Sequence, residues 1–179
     1  TEVTVPYVTI GNENSTTTTY VTPFNSLWGY SFVEQIYTAA EIGTAGTINS
    51  ISFYLSSDTQ TNVVDVFMKH VSRSTFADAT DYETVTSNDI VFTGSVTFNA
   101  GWTTIYFNEP FEYDGTSNLM VALHEYTSGY STLYFNYTAA TNTVITFHSD
   151  SSNPNPYSLG SYSGNKYTSA NRANVRLGL

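Results

Sequence analysis

The sequence predicts an all-β fold: a single-domain antiparallel β-sandwich of the jelly-roll type, with about eleven short strands and little or no helix. Three observations predict it. Apolar and polar residues alternate with period two, as in Ile51, Phe53 and Leu55 against Ser52 and Tyr54, or Ile90, Phe92, Val96 and Phe98 against Thr93, Ser95 and Thr97. Gly, Asn, Asp, Ser and Pro punctuate these runs at short intervals. Only one segment carries helical spacing.

Taken in order, residues 4–10 and 17–21 are short runs rich in β-branched and aromatic side chains, and read as strands. Residues 32–38 hold the exception, because Val33, Ile36, Tyr37 and Ala40 recur at helical spacing; the segment is read as a strand running into a short turn. Residues 51–55 and 63–71 are the next strands. Residues 72–89 are polar and irregular, a long connection with at most one turn of helix. Strands follow at 90–98, 102–107, 119–126, 133–138, 144–148 and 174–177, and residues 149–170 read as a long surface loop before the last of them. Structureless connections of that length inside a domain are uncommon and usually functional or disordered. Three tyrosines, Tyr157, Tyr162 and Tyr167, favour function. No internal repeat or boundary divides residues 1–179.

A chain of 179 residues with 40% hydrophobic and 16% aromatic residues can bury a sizeable core. Five Lys and Arg against fifteen Asp and Glu give a net charge of -10, which repels nucleic acid. Charged residues are only 11% of the chain, so the polar surface is built from Ser, Thr, Asn and Tyr and suits neutral extracellular partners. The absence of cysteine removes disulfides and thiolate metal sites. No run of 18 apolar residues spans a membrane. The first residue is Thr1, as in a mature or excised fragment, and a secreted or cell-surface module within a larger chain, monomeric in itself, is expected.

The stretch DIVFTGSVTFNAGWTTIYFNEPFEYDGTSNLMVAL, residues 89–123, runs from a strand ending V-T-F through G-W to P-F-x-Y-D-G-x-x-N-L. It resembles the β-sandwich modules of secreted Bacteroidetes proteins, including the cleaved-adhesin and carbohydrate-binding types. WGYSFVEQIYTAAEIG and SDSSNPNP sit where such modules have comparable segments. The resemblance implies a jelly roll appended to a larger surface or secreted protein, binding glycans or host proteins and often holding structural calcium. Read without it, Gly101 turns the chain, Trp102 anchors the core, Pro110 and Phe111 close a corner, and Asp114 and Gly115 make a turn.

Catalysis finds little support. His148, Ser149 and Asp150 are adjacent, and neighbours on an extended strand point to opposite faces, so they form no triad. Glu109, Glu112 and Glu125 are the carboxylates available to a glycosidase, and nothing in the sequence pairs two of them across a cleft. The chain is expected not to be an enzyme and to require no cofactor. A structural calcium would draw oxygen ligands from turns such as 58–62 or 78–83.

Glycan sites set flat aromatic rings against the C–H face of a sugar and short polar side chains against its hydroxyls. Two surfaces offer that pairing. The first is a loop platform of Trp28, Tyr30 and Asn25 meeting Tyr157 and Tyr162; its alternative is a plug of Phe24, Leu27 and Trp28 tucked under the sandwich. The second is a strand face: with Leu119, Val121, Leu123, Leu133, Phe135, Ile145 and Phe147 inward, His124, Tyr126, Tyr134, Asn136 and His148 face out, and register sets His124 and His148 on either side of Tyr134. The expected function is non-catalytic binding of a polysaccharide. The rivals are an adhesin module that binds a host protein, and a spacer with no ligand.

Overall fold

Residues 51–55 and 63–71 belong to one strand of 26 residues, not two. The computed structural model describes residues 6–129 and 132–179, without the side chain of Ser57. Within them nine strands form one antiparallel hydrogen-bonded network: β1 (Tyr7–Ile10), β2 (Thr18–Thr19), β3 (Tyr30–Tyr37), β4 (Gly46–Val71), β5 (Ile90–Tyr113), β6 (Asn118–Glu125), β7 (Phe135–Ser149), β8 (Asn165–Ala173) and β9 (Val175–Gly178). The all-β expectation holds. Residues 4–5 of the first expected strand and 130–131, between the strands expected at 119–126 and 133–138, lie outside the described residues. No helix among the described residues is long and apolar enough to cross a membrane.

The strands are fewer and longer than the eleven expected because turn-forming residues are absorbed as bulges. The register between β4 and β5 jumps between Leu55 and Thr59, with Asp58 at φ 72°. Gly101, at φ 90°, does not turn the chain: it pairs with Leu55 and β5 continues through Pro110 and Phe111. Residues 139–143, between the strands expected at 133–138 and 144–148, are a bulge within β7. The turn after β5 does form where expected, with Gly115 at φ 78° and the Asp114 carboxylate accepting the N–H groups of Thr116 and Ser117 at 2.8 Å each. Strand β8 occupies residues read as loop.

Hydrogen bonding runs in the order β1-β9-β4-β6-β3-β7-β2, with β5 beside β4 and β8 beside β7. After β3, one helical turn, α1 (Ala39–Ile42), forms where a short turn was expected: Thr38 and Glu41 make reciprocal capping bonds. Buried Arg172 of β8 fixes this turn, forking onto the Glu41 carboxylate, donating to the Ile36 carbonyl at 3.0 Å, and lying 4.7 Å from the Tyr37 ring centre.

Two apolar clusters form, on opposite faces of the central strands. The first gathers Phe53, Val66, Phe98, Leu123, Phe135 and Leu177, with Phe24 wedged between Phe98 and Phe135 at ring distances of 5.3 and 5.6 Å. The second lies on the far side, where Phe32, Phe67 and Phe147 meet Phe76, Val85 and Leu159 from the long connections. Strands β3 and β6 are therefore buried on both faces, which sequence alternation alone had left half-exposed. Residues 72–89 include one 3-10 turn, Ser87–Asp89, as expected, yet they act as a cover. Burying a Phe such as Phe76 stabilises by roughly 1.5 to 3 kcal/mol. Glu34 is sealed beneath this cover; its Oε1 accepts the Glu83 N–H at 2.8 Å, and burial pushes its carboxyl up to about 8.

Candidate functional site

Strands β1, β9, β4 and β5 lie side by side, with β9 paired to β1 and β4 and β5 paired to β4. Their alternation sends Ile10, Val175, Leu177, Ile51, Phe53 and Ile105 into the first core. Every second residue then faces the opposite way. Register aligns Tyr7 with Gly178, Gly178 with Ser50, and Ser50 with Tyr106. Two tyrosines thus stand at the ends of a row whose middle positions carry a hydrogen and a hydroxymethyl group. Three strand spacings separate them, about 14 Å between backbones.

The result is a groove of about 190 Å³ lined by Tyr7, Ser50, Ser52, Trp102, Tyr106 and Arg176, among others. Tyr106 is 71% exposed and Tyr7 51% exposed. Gly178 is required for the depth: a Cβ there would lie 2.1 Å from Ser50 Oγ. The next row aligns Thr9, Arg176, Ser52 and Thr104, with a hydrogen bond of 2.8 Å between the Ser52 and Thr104 hydroxyls. Trp102 is half-buried, with its ring 5.4 Å from that of Tyr54. The expectation that Trp102 anchors the core is corrected: residues 102, 104 and 106 point away from it because Thr103 and Ile105 take the inward positions.

Arg176 fixes this surface. Its guanidinium carbon lies 4.2 Å from the Trp102 ring centre and 4.4 Å from that of Tyr7, and its Nη2 donates to Glu13 Oε1 at 2.9 Å. That hydrogen bond holds the Glu13 carboxyl below its usual range. The signal missed in the sequence was the alternation W-x-T-x-Y at 102–106 beside S-x-S at 50–52. Tyr7 and Arg176, near opposite ends of the chain, carried no local sign of being neighbours.

The residues expected to form a loop platform are mostly structural. Asn25 is fully buried, its N–H donating to Ser31 Oγ at 3.0 Å and its side-chain amide to Thr146 at 3.3 Å. Trp28 is half-buried, its ring 4.8 Å from that of His148. The Gly29 N–H donates to Asp150 at 3.1 Å, which docks this loop; of the plug residues Phe24 is buried, while Leu27 and Trp28 stay partly exposed. Tyr30 opens β3, paired with Ser149. Tyr162 packs on Phe147 at 5.8 Å and donates to the His148 carbonyl at 2.8 Å, closing the second core.

The expected row of His124, Tyr134 and His148 does not form. β6 lies between β3 and β4, setting His124 against Phe32 and Asp65, whereas His148 pairs with Ser31 and Asn165. His148 is buried under Trp28 and between strands, and desolvation lowers its imidazole below the ordinary value. Tyr134 precedes β7 and meets Tyr20 edge-on at 6.3 Å. Asn136 is buried, its amide donating to the Ser15 carbonyl at 2.8 Å. The structure brings together residues of the two expected surfaces: His124 and Tyr126 of the strand face bond or lie against Asp65, and Tyr157 of the loop lines the same cleft.

Several of the polar groups considered for chemistry have other partners. Ser149 Oγ accepts the N–H groups of Ser151 and Ser152, and Asp150 accepts that of Gly29. In the 78–83 turn Asp81 and Glu83 pair with Arg73 at 2.8 Å each, and Asp78 accepts the Thr80 N–H at 2.7 Å. Among the described residues no three His, Asp or Glu side chains gather as a metal site. Compared with family models, curated proteins and solved structures, the chain matches none.

Proposed function

We propose that this domain binds a neutral polysaccharide without chemistry, along the groove between Tyr7 and Tyr106. The observation that carries the reading is the row Tyr7, Gly178, Ser50, Tyr106: exposed rings at both ends of a floor too small to fill the space between them. Sugar C–H faces would lie on the rings of Tyr7, Trp102 and Tyr106, while Ser50, Ser52, Thr104 and Arg176 meet the hydroxyls. Arg176 is pinned by two rings and Glu13, so little side-chain freedom is lost on binding. A net charge of -10 favours a neutral chain over an anionic one.

Such a module would serve a secreted or surface protein as a targeting or adhesion domain. A host-protein interface would call for a contiguous apolar patch of several hundred Å². Among the described residues the large exposed aromatics, Tyr7, Tyr106, Tyr134, Tyr157 and Tyr167, are set among Ser, Thr and Asn instead. Calorimetric titration with neutral hexasaccharides of glucose, xylose, mannose and galactose tests the proposal. Saturable binding of one of them that is weakened or loses a binding event in Tyr106→Ala supports it; silence across the panel, or binding indifferent to Tyr106 and Trp102, overturns it.

A further inference from the structure

A separate cleft of about 380 Å³ lies far along β4 from the groove, lined by Asp65, His124, Asn153, Asn155 and Tyr157, with two prolines between them. Asp65 pairs across to His124 of β6. Its Oδ1 accepts the Tyr126 hydroxyl at 3.0 Å and its Oδ2 lies 3.5 Å from His124 Nδ1. Burial pushes the Asp65 carboxyl up, but the bonds from His124, Tyr126 and Thr93 outweigh it and hold the group below its usual range. The carboxylate is ionised at neutral pH.

The loop opposite is built in advance. Asn153 Oδ1 lies 2.6 Å from His124 Nε2, the Asn155 carboxamide oxygen accepts the Tyr157 N–H at 2.9 Å, and Pro154 and Pro156 are buried. Tyr157 packs edge-on against Phe67 at 6.1 Å yet stays 51% exposed. Its ring is therefore held in one orientation with half its surface free. Lining the same cleft are the Asp65 carboxylate and two asparagines on exposed positions, which supply acceptors and donors.

We infer that this cleft is a second glycan-binding site, separate from the groove, and that the module is bivalent toward neutral polysaccharide. The inference rests on the glycan reading of the groove and adds a second place of contact. A sugar ring stacks on Tyr157 while its adjacent hydroxyls donate to Asp65 and meet the amides of Asn153 and Asn155. Two sites on one rigid body raise the effective concentration for the second contact, and apparent affinity for a polymer exceeds that for a short oligomer by about 100-fold or more.

Calorimetry with the tightest-binding hexasaccharide of the neutral panel, on the whole chain, tests it. The expected stoichiometry is two per protein. It falls to one in Tyr157→Ala and in Asp65→Asn, and also to one in Tyr106→Ala; binding to the immobilised polymer weakens about 100-fold in each. Tyr157→Ala, at an exposed ring, guards against a fold defect in Asp65→Asn, and thermal melts accompany both. A stoichiometry of one that Tyr106→Ala abolishes and Tyr157→Ala leaves alone overturns the inference and keeps the groove. One event lost only in Tyr157→Ala overturns the groove reading and bivalency together, and no binding to any hexasaccharide overturns both.

Discussion

Arg176 and Trp102, on strands separated by β4, meet with the guanidinium carbon 4.2 Å from the ring centre, and the same guanidinium lies 4.4 Å from Tyr7. One cation thus sets the pose of two aromatic groups of the groove. Replacing Arg176 by Ala removes the cation–π contacts, worth about 0.5 to 1 kcal/mol each at exposed sites, and frees both rings. Oligosaccharide affinity should fall about tenfold with a small drop in melting temperature, read by calorimetry and thermal melts on the same sample.

Tyr106→Ala should separate binding from folding. The side chain is 71% exposed, so stability should change by no more than about 0.5 kcal/mol. A stacking ring contributes about 2 kcal/mol, so binding in the groove should weaken roughly 30-fold.

Gly178→Val should fill the groove floor. A Cβ at this position meets Ser50 Oγ at 2.1 Å, a clash that a turned Ser50 relieves. Binding in the groove should be lost in Gly178→Val, while Gly178→Ala combined with Ser50→Gly should recover most of it. Failure of that pair to rescue would mean the floor is not where the ligand lies.

The two tryptophans should report different things. Trp102 lines the groove and Trp28 packs on His148. Ligand should shift the fluorescence of the Trp28→Phe protein and leave that of Trp102→Phe unchanged. Trp28→Ala should cost about 2 to 3 kcal/mol of stability, below the value for a fully buried Trp, with affinity intact.

Stability should decline from mildly acidic to mildly alkaline pH. Burial raises Glu34 to about 8 and Glu125 to about 7 from 4.5, so between those values the folded protein keeps protons that the unfolded chain releases. Their contribution is complete below about pH 4.5 and is lost as pH rises through the folded values, with a slope of up to about 1.4 kcal/mol per pH unit per group. Glu34→Gln keeps an acceptor for the Glu83 N–H and should flatten the slope, measured as melting temperature from pH 5 to 8.5.

Some of this was legible in the residues themselves. Alternation at 51–55 and 90–98 fixes extended backbone, because a side-chain period of two fits no helix, and Thr38 with Glu41 caps a turn locally. Asp114 and Gly115 set their own turn for the same reason: partner and backbone conformation lie within three residues. Where strands end was less legible, since Gly101 and the 139–143 segment become bulges once a partner strand continues past them.

Which face of each strand meets solvent was decided by tertiary structure alone. Alternation gives two faces but does not say what covers them, and the covers here, residues 72–89 and the 150–162 loop, come from elsewhere in the chain. They bury the face that carries Phe147, the loop of Trp28 covers the face on which His148 was expected to be free, and the layer of β4 and β5 stays open at Trp102 and Tyr106. The groove itself is a matter of pairing, with Tyr7 beside Gly178 and Gly178 beside Ser50. Composition and period made this chain an aromatic, hydroxyl-rich β-protein; only long-range register, set by burying both cores at once, placed its aromatic rings around an open floor.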